Sequence, residues 1–311
     1  MGDLFEERLE SFSGEGELSA FSLAAVAEAL DIIAELDEQN VGGETVEQRI
    51  GEFKSWDPEV FRVDRDCENR FIERLTQRGR PVVMLSEEVG RKEINLDSDG
   101  AKMYCVCDPF DGSYLFKRGI PDFWYSSLAF YSEDFTPACC AVGDGVQRKI
   151  AFANGGGAFI ADLVGGRLEH RFKLDAKYRQ TMGRVSPTDL DGASIESYAL
   201  KPTKFLLPLV DQYRELLKPF KFFLPNGGPY GFADVAEGKV DCYFAPRQPF
   251  VDIFSGIHIA EAAGVTVTDF DGRAVACGDD SETLHDVVAS GNPALHEKVL
   301  EMIARCRGDR T

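Results

Sequence analysis

The spacing of apolar residues along the chain predicts a first half rich in β-strands. Apolar residues recur every three or four positions over residues 18–36 and again from about residue 64 to 77, which predicts two helices. The polar residues 42–56 are expected to form an irregular connection between these two helices. Short apolar runs then predict strands at residues 82–85, 103–107, 124–131, 138–142, 149–152 and 158–161. Glycine-rich turns separate several of these runs, which is typical of antiparallel neighbours.

Beyond residue 186 the pattern changes to alternating strands and helices. Helices are predicted at residues 204–217, 230–237, 251–263 and 294–306. Strands are predicted at residues 220–224, 240–244 and 287–290. The pattern therefore predicts an α+β half with an antiparallel sheet over residues 1–185 and an α/β half over residues 186–311, layered helix on sheet on helix.

The most informative polar residues follow one of these predicted strands. The apolar run that begins near residue 103 stops at Asp108, and Asp111 and Gly112 follow at once. Pro109 fixes its own φ and Gly112 allows a tight turn that other residues resist, so the two carboxylates are held close together. Such a pair is costly unless a cation lies between them, and a divalent ion suits that place. Asp, Pro and Gly also dominate ordinary surface turns, so this stretch alone fits a metal site and an acidic turn equally well.

Two further acidic positions favour the metal interpretation. The apolar run at residues 80–85 ends in Ser86-Glu87-Glu88, so two predicted strands end in carboxylates, as expected where strand ends line one crevice. Asp252 begins a helix-like run that extends to residue 263, and the helix dipole keeps a carboxylate there ionised. Taken alone, Asp252 is better explained as an N-terminal charge or cap. Glu88 is explained almost equally well in two ways, as a residue that supports the metal ligands without binding the metal and as a solvated surface charge.

Composition narrows the partners that the chain can have. The 311 residues are 44% hydrophobic, which is enough for a sizeable core in one large domain or two smaller ones. A net charge of -19 argues against nonspecific binding to nucleic acid or to an anionic membrane, because phosphate groups would be repelled. The 8 cysteines have neither disulfide nor zinc-site spacing, residues 1–16 do not resemble a signal peptide, and no apolar stretch reaches membrane-spanning length. We therefore expect a cytoplasmic protein.

Together the motifs resemble the inositol monophosphatase and fructose-1,6-bisphosphatase superfamily, the metal-dependent, lithium-sensitive sugar phosphatases. The family's Asp-Pro-x-Asp-Gly-Thr/Ser motif stands at residues 108–113, and its upstream Glu-Glu pair is similar to Glu87-Glu88. Its Asp-x-x-x-Glu helix start is similar to residues 64–68. Its Trp-Asp helix start, followed by Glu-Ala-Gly-Gly, is similar to residues 251–264, although Val251 replaces the Trp. Motif order and separation agree from about residue 20 to residue 303.

The resemblance implies an αβαβα sandwich, a homodimer, and hydrolysis of a small phosphorylated metabolite by metal-activated water. It implies two or three Mg²⁺ ions, with Mn²⁺ as a substitute. The implied metal ligands are the side chains of Glu87, Asp108, Asp111 and Asp252 and the carbonyl of Phe110. The implied catalytic residues are Glu87, Ser113 and Asp64, with Ser113 in the place of the family's usual Thr. Gly112 and Ser113 would also donate backbone N–H groups to the phosphate.

The substrate side departs from the inositol-type pattern. Ala245 stands where those members carry an acidic residue that binds sugar hydroxyls, and alanine cannot do so. Arg247 suits a second anionic group on the substrate, or a plain surface position. The turn at Gly228 matches the family's substrate-side turn only loosely. The candidate substrates are therefore a polyol or sugar monophosphate, fructose bisphosphate, histidinol phosphate and phosphoadenosine phosphate.

Two other functions compete with this interpretation. Haloacid dehalogenase phosphatases also place two Asp residues and Gly-Thr/Ser after an apolar strand, but with Asp-x-Asp spacing. Asp108 and Asp111 are three positions apart with Pro109 between them, so an aspartyl-phosphate intermediate is not expected. A non-catalytic metal-binding regulatory relative is the second competitor, and the retention of all four acidic ligand positions disfavours it.

Overall fold

The computed structural model describes residues 4–48 and 58–308, and ten α-helices and fifteen β-strands lie within these ranges. The helices are α1 (Leu4–Phe12), α2 (Glu17–Glu38), α3 (Arg62–Gln77), α4 (Ser113–Lys117), α5 (Ala176–Thr181), α6 (Leu207–Leu217), α7 (Tyr230–Glu237), α8 (Phe250–Phe254), α9 (Ile257–Ala262) and α10 (Pro293–Gly308). The first strands are β1 (Thr45–Gln48), β2 (Glu59–Phe61), β3 (Val82–Ser86), β4 (Gly90–Ile94), β5 (Met103–Asp111), β6 (Tyr125–Tyr131), β7 (Pro137–Asp144), β8 (Lys149–Asn154), β9 (Gly157–Val164) and β10 (Arg167–Leu174). The remaining strands are β11 (Ser194–Glu196), β12 (Phe222–Leu224), β13 (Cys242–Gln248), β14 (Thr266–Asp269) and β15 (His285–Ser290).

Eight strands of the first half form one sheet, in the order β10-β9-β8-β7-β6-β5-β3-β4. Its neighbours are antiparallel, as the glycine-rich turns predicted, with the exception of β3 and β5, which run parallel. Parallel pairing aligns the carboxyl ends of β3 and β5 at the same edge. That edge carries the two acidic motifs of the first half.

The second sheet has five strands in the order β12-β11-β13-β15-β14. Its first three strands are parallel, and β15 runs antiparallel to both of its neighbours. A β-bulge lies between Ala245 and Gln248 near the end of β13. All strands of the eight-stranded sheet precede residue 185 and all strands of this sheet follow it, although a division into two domains there stays a prediction.

The two sheets and three groups of helices form five layers. Helices α1, α2 and α3 cover one face of the large sheet with an apolar core that includes Phe21, Leu30 and Phe71. Helices α7, α8 and α9 are packed between the sheets, and α6 and α10 cover the outer face of the small sheet. The observed αβαβα sandwich is the fold that the family resemblance implied, and each helix layer buries one apolar face of a sheet.

Several elements differ from the sequence predictions. The single helix expected over residues 251–263 is wrong, because α8 ends at Phe254 and α9 begins at Ile257. A Cβ atom on Gly256 would lie 2.4 Å from the Pro229 carbonyl oxygen, so a remote segment occupies the space next to the break. The helix expected to begin at residue 204 starts instead with a π-helical turn, Pro202–Leu206, ahead of α6.

Elements with weak apolar patterns were not predicted from the sequence. These are α1, α4, α5, β2, β4, β10, β11 and β14. The connection expected to be irregular over residues 42–56 contains β1, which pairs with β2, while residues 49–56 of it lie outside the described ranges. Seven of the eight cysteines are buried as free thiols, and Cys277 is partly buried. Across the described residues, each helix is too short or too polar to span a bilayer.

Candidate active site

Two neighbouring strands of the large sheet bring the first two acidic motifs together. In the parallel pairing of β3 with β5, Ser86 lies opposite Cys107, so Glu87 and Asp108 follow at the same level of the sheet. This register is the physical basis for the shared crevice that the two strand ends predicted. Asp108 is almost fully buried at 1% exposure, whereas Glu87 is only partly buried.

The strand that was expected to stop at Asp108 continues to Asp111. Its pairing with β6 is irregular between Asp108 and Asp111, so the motif lies in a bulged strand end instead of a free turn. Pro109 has no N–H for the ladder, and a bulge accommodates such a residue. The backbone of Asp108 is held at Ser127, whose hydroxyl lies 3.3 Å from the Asp108 nitrogen and 3.4 Å from its carbonyl oxygen.

Asp252 completes a set of three carboxylates. It lies in α8, and an oxygen from each of Glu87, Asp108 and Asp252 falls within 4.8 Å of the others. The Ser127 hydroxyl, which also contacts Asp108, donates to the Ser255 hydroxyl at 2.7 Å and so ties α8 to β6 beside the site. Three ionised carboxylates this close repel one another, and a cation between them relieves that repulsion. Oxygen-only donors suit hard divalent ions such as Mg²⁺ or Mn²⁺. The donor set therefore fits the metal that the resemblance implies.

Asp111 lies outside this set of three, next to the substrate-side turn. A Cβ atom on Gly228 would lie 2.3 Å from the Asp111 Oδ2 atom, and Gly228 has a φ of +66°. Any larger residue at 228 would therefore collide with the carboxylate and strain the backbone. The contact brings the turn around Gly228 to the bulged motif. A metal-ligand role for Asp111 and for the Phe110 carbonyl, and a substrate role for Gly228, stay predictions.

Asp64 and Ser113 are joined by a hydrogen bond. The Ser113 hydroxyl donates to Asp64 Oδ1 at 2.5 Å, and the Phe61 N–H donates to Asp64 Oδ2 at 2.8 Å. Asp64 is the third residue of α3, which was expected to begin at about this residue, and its carboxylate caps the helix. Because both carboxylate oxygens have donors, the side chain is fixed in orientation. The predicted catalytic roles of Asp64 and Ser113 both depend on this pair.

Gly112 shapes the entry to α4. Its φ of +105° is in the left-handed region, and a Cβ atom there would lie 2.0 Å from the Phe123 carbonyl oxygen. Only glycine fits this position. Ser113 begins α4 directly afterwards, a five-residue helix that was not predicted from the sequence. Phosphate binding by the Gly112 and Ser113 N–H groups stays a prediction.

Glu68 is a supporting residue that the sequence analysis quoted but gave no role. It is fully buried in α3, where its Oε1 atom accepts from the Ser86 hydroxyl at 2.6 Å and from the Val89 N–H at 2.9 Å. These two bonds fix the turn that presents Glu87. The Asp-x-x-x-Glu spacing was the available signal, because residues four apart lie on the same face of a helix.

The comparisons with known proteins agree with this geometry. The family model described as "Inositol monophosphatase family" matches residues 16–307. A fructose-1,6-bisphosphatase/inositol-1-monophosphatase of Methanothermobacter thermautotrophicus is 25% identical over 78% of this chain and 82% of its own length. A fructose-1,6-bisphosphatase of Pyrococcus furiosus is 28% identical over 78% of this chain and 82% of its own length.

A solved structure supports the same conclusion for the fold. A hypothetical protein from Pyrococcus horikoshii, with similarities to inositol-1-monophosphatase, superposes with a TM-score of 0.62. It is 25% identical, and the alignment covers 90% of this chain and 96% of the other. The chain therefore belongs to the inositol monophosphatase family and is a phosphatase of the inositol monophosphatase and fructose-1,6-bisphosphatase superfamily.

Proposed function

We propose that the protein is a magnesium-dependent phosphatase that hydrolyses a phosphate monoester of a small polyol or sugar. The observation that carries this proposal is the set of three carboxylate oxygens of Glu87, Asp108 and Asp252 within 4.8 Å of one another. Bound divalent ions would supply charge neutralisation on the phosphoryl group and an activated water molecule. Two or three ions are proposed, with Asp111 and the Phe110 carbonyl as further ligands.

The chain's own residues supply the positioning. Asp64 holds the Ser113 hydroxyl in one orientation, where Ser113 would direct the attacking water, and Glu87 is proposed to share this role. Gly112 leaves the entry to α4 free of a side chain, so the N–H groups of Gly112 and Ser113 can meet the phosphate oxygens. Glu68 keeps Glu87 in place through Ser86 and Val89. Nothing in this arrangement requires a carboxylate nucleophile, and no phosphoenzyme is expected.

The identity of the substrate is the more specific part of the proposal. Ala245 is fully buried and offers no group for a sugar hydroxyl, which weakens an inositol-type preference. Fructose bisphosphate is therefore the leading alternative, ahead of histidinol phosphate and phosphoadenosine phosphate. Inhibition by lithium and a homodimer belong to the same proposal and come from the family resemblance. A cytoplasmic location belongs to it as well and comes from the composition of the chain.

Release of phosphate from 4-nitrophenyl phosphate tests the chemistry. We expect turnover that requires Mg²⁺, disappears in EDTA, and falls roughly 10³-fold or more in Asp108→Asn, because a metal ligand contributes several kcal/mol to the transition state. Asp211→Asn, at an exposed position of α6, is the matched control and should keep full activity. Metal-independent turnover, or a trapped phosphoenzyme, would refute the proposal. A protein that binds Mg²⁺ and releases no phosphate would instead be the regulatory relative.

A further inference from the structure

Tyr125 lies beside the bulged acidic motif and reaches across to the second half of the chain. In the pairing of β5 with β6, it is the residue opposite Asp111. Its ring stacks on that of Tyr230, the first residue of α7, with centroids 4.6 Å apart and an angle of 8° between the planes. Its hydroxyl accepts a hydrogen bond from the Asn226 side-chain amide at 3.1 Å. Tyr125 therefore contacts the chain on both sides of the glycine turn, residues 227–229.

The three side chains that meet here are shielded from water. Tyr125 is 4% exposed, Asn226 is 3% exposed and Tyr230 is 1% exposed. A buried hydrogen bond cannot be replaced by one to solvent, so the loss of either partner leaves the other unsatisfied. Burial raises the pKa of the Tyr125 hydroxyl well above its ordinary value, so the hydroxyl stays neutral at any pH used for assay. The stacked rings and the hydrogen bond thus fix both ends of the glycine turn.

The glycine turn lies against two elements of the proposed active site. Gly228 contacts the Asp111 carboxylate, since a Cβ atom on Gly228 would lie 2.3 Å from Asp111 Oδ2. The Pro229 carbonyl oxygen faces Gly256 at the break between α8 and α9, where a Cβ atom would lie 2.4 Å from it. Helix α8 carries Asp252, one of the three clustered carboxylates. The turn is therefore packed between the strand end that carries Asp111 and the helix pair that carries Asp252.

We propose that Tyr125 is a positioning residue, which holds the glycine turn in place and through it orients the Asp111 carboxylate. This inference rests on the proposed function, in which Asp111 is a metal ligand. Gly228 restricts the carboxylate only while the turn stays against the strand end, and Tyr125 fixes the residues on either side of that turn. Groups that orient a metal ligand in this way typically change metal affinity or activity by about 10- to 100-fold.

The Mg²⁺ dependence of 4-nitrophenyl phosphate hydrolysis by the full-length protein tests this inference. In Tyr125→Phe, which removes only the hydroxyl, the Mg²⁺ concentration for half-maximal activity should rise roughly 3- to 10-fold, the contribution of one buried hydrogen bond. Tyr125→Leu also removes the stacking, so the rise should reach roughly 10- to 100-fold. A variant that is only partly folded would lower the maximal rate and leave this Mg²⁺ concentration unchanged.

Amide hydrogen exchange in EDTA measures the turn itself, without metal or turnover. The Gly231 N–H donates to the Gly228 carbonyl at 3.3 Å, so exchange of a peptide that covers residues 226–231 reports on the turn. This exchange should be roughly 3- to 10-fold faster in Tyr125→Phe than in the wild type. Asn226→Ala should accelerate it equally, and the double variant should be little faster than either single variant, because both substitutions remove the same hydrogen bond.

Tyr213→Phe is the matched control. Tyr213 is also a buried tyrosine whose hydroxyl accepts from an amide, the Gln212 Nε2 atom at 3.0 Å, but it lies in α6 on the outer face of the small sheet. Its loss should change neither the Mg²⁺ dependence nor the exchange of residues 226–231.

The possible outcomes separate this inference from the proposed function. If the Tyr125 variants keep the Mg²⁺ dependence of an active wild type, the inference is wrong and Mg²⁺-dependent hydrolysis stands. Faster exchange without a change in Mg²⁺ dependence overturns it as well, since the turn would then move without affecting Asp111. A wild type that shows no Mg²⁺-dependent hydrolysis overturns the proposed function, and the inference with it. Asn226→Ala removes the same hydrogen bond from the other side, so the test stands even if a Tyr125 variant does not fold.

Discussion

Two regions of the molecule concentrate carboxylates, and they hold them in different ways. Glu87, Asp108 and Asp252 meet where β3 and β5 end and α8 begins, with Glu87 and Asp252 partly exposed. Glu196, Asp234 and Glu237 are buried around β11 and α7, and Lys239 beside them is partly buried. The Lys239 Nζ atom lies 3.1 Å from Asp234 Oδ1 and 2.7 Å from Glu237 Oε1. The second cluster thus contains its own cation.

Protonation of carboxylates offsets the remaining negative charge of the buried cluster. Burial raises the pKa of Asp234 to about 6, although the charge of Lys239 opposes this shift. Burial, followed by the negative charge of Asp234, raises the pKa of Glu196 well above its ordinary value. Burial alone would lower the pKa of Lys239, but Asp234 and Glu237 raise it. Close carboxylates therefore do not by themselves indicate a metal site. The first cluster differs from the second because it lies at strand ends, where a cation from solution can reach it.

Asp252→Asn should produce the largest effect in this comparison. We expect kcat/KM to fall roughly 10³-fold or more, because the variant loses one of three clustered oxygen donors. Mg²⁺ should raise the melting temperature of the wild type, since binding at 100 times the Kd adds about 2.7 kcal/mol to the free energy of unfolding. That rise should disappear in Asp252→Asn.

Glu196→Gln is the control for that experiment, because it alters the buried cluster and should keep the Mg²⁺-dependent rise. The comparison fails if Mg²⁺ stabilises Asp252→Asn as much as the wild type. It fails equally if Glu196→Gln loses the response.

Lys239→Met should cause the largest loss of stability. Asp234 would be left buried without its cation, and Glu237 would keep the more distant Arg184 guanidinium, 4.0 Å away. Breaking a buried pair in this way costs about 3–5 kcal/mol. Urea unfolding in EDTA measures this loss, and Lys218→Met at an exposed position should change stability by less than about 0.5 kcal/mol. Adding Asp234→Asn and Glu237→Gln should recover much of the loss. A Lys239→Met variant within about 1 kcal/mol of the wild type would contradict the interpretation.

The cluster of Glu87, Asp108 and Asp252 could be predicted from the sequence better than the elements around it, for a physical reason. Glu87 and Asp108 each follow an apolar run, and the local pattern of a strand end is visible in a few adjacent residues. The break between α8 and α9 depends on the Pro229 carbonyl next to Gly256, which is a contact between distant segments. The role of Glu68 depends likewise on the turn after β3. The family resemblance supplied the order of the layers, which periodicity alone left undetermined.

The buried cluster was not predicted at all. Glu196 lies in the three-residue strand β11, which is too short to show a period, and Lys239 follows α7 among residues that are typical of a helix end. Their burial follows from the packing of α7 between two sheets. Local sequence contains no signal for that packing. Charged residues that have the sequence pattern of surface positions are therefore placed between the sheets.

Glu196→Gln should give the smallest effect, and its sign depends on pH. The pKa of Glu196 in the folded protein lies above its ordinary value of 4.5, so the folded state binds the proton more tightly than the unfolded state. The stability that this proton provides is fully present below pH 4.5 and is lost as pH rises toward the raised pKa. The glutamine cannot titrate, so the stability of Glu196→Gln relative to the wild type should be lowest below pH 4.5 and should increase as pH rises toward the raised pKa.

Urea unfolding of both proteins at several pH values in EDTA measures this difference. Glu297→Gln, at an exposed position of α10, is the matched control and should differ from the wild type by the same amount at every pH. A constant difference for Glu196→Gln would mean that Glu196 ionises in the folded protein as it does in the unfolded chain. Protonation of Glu196 would then no longer distinguish the second cluster from the first.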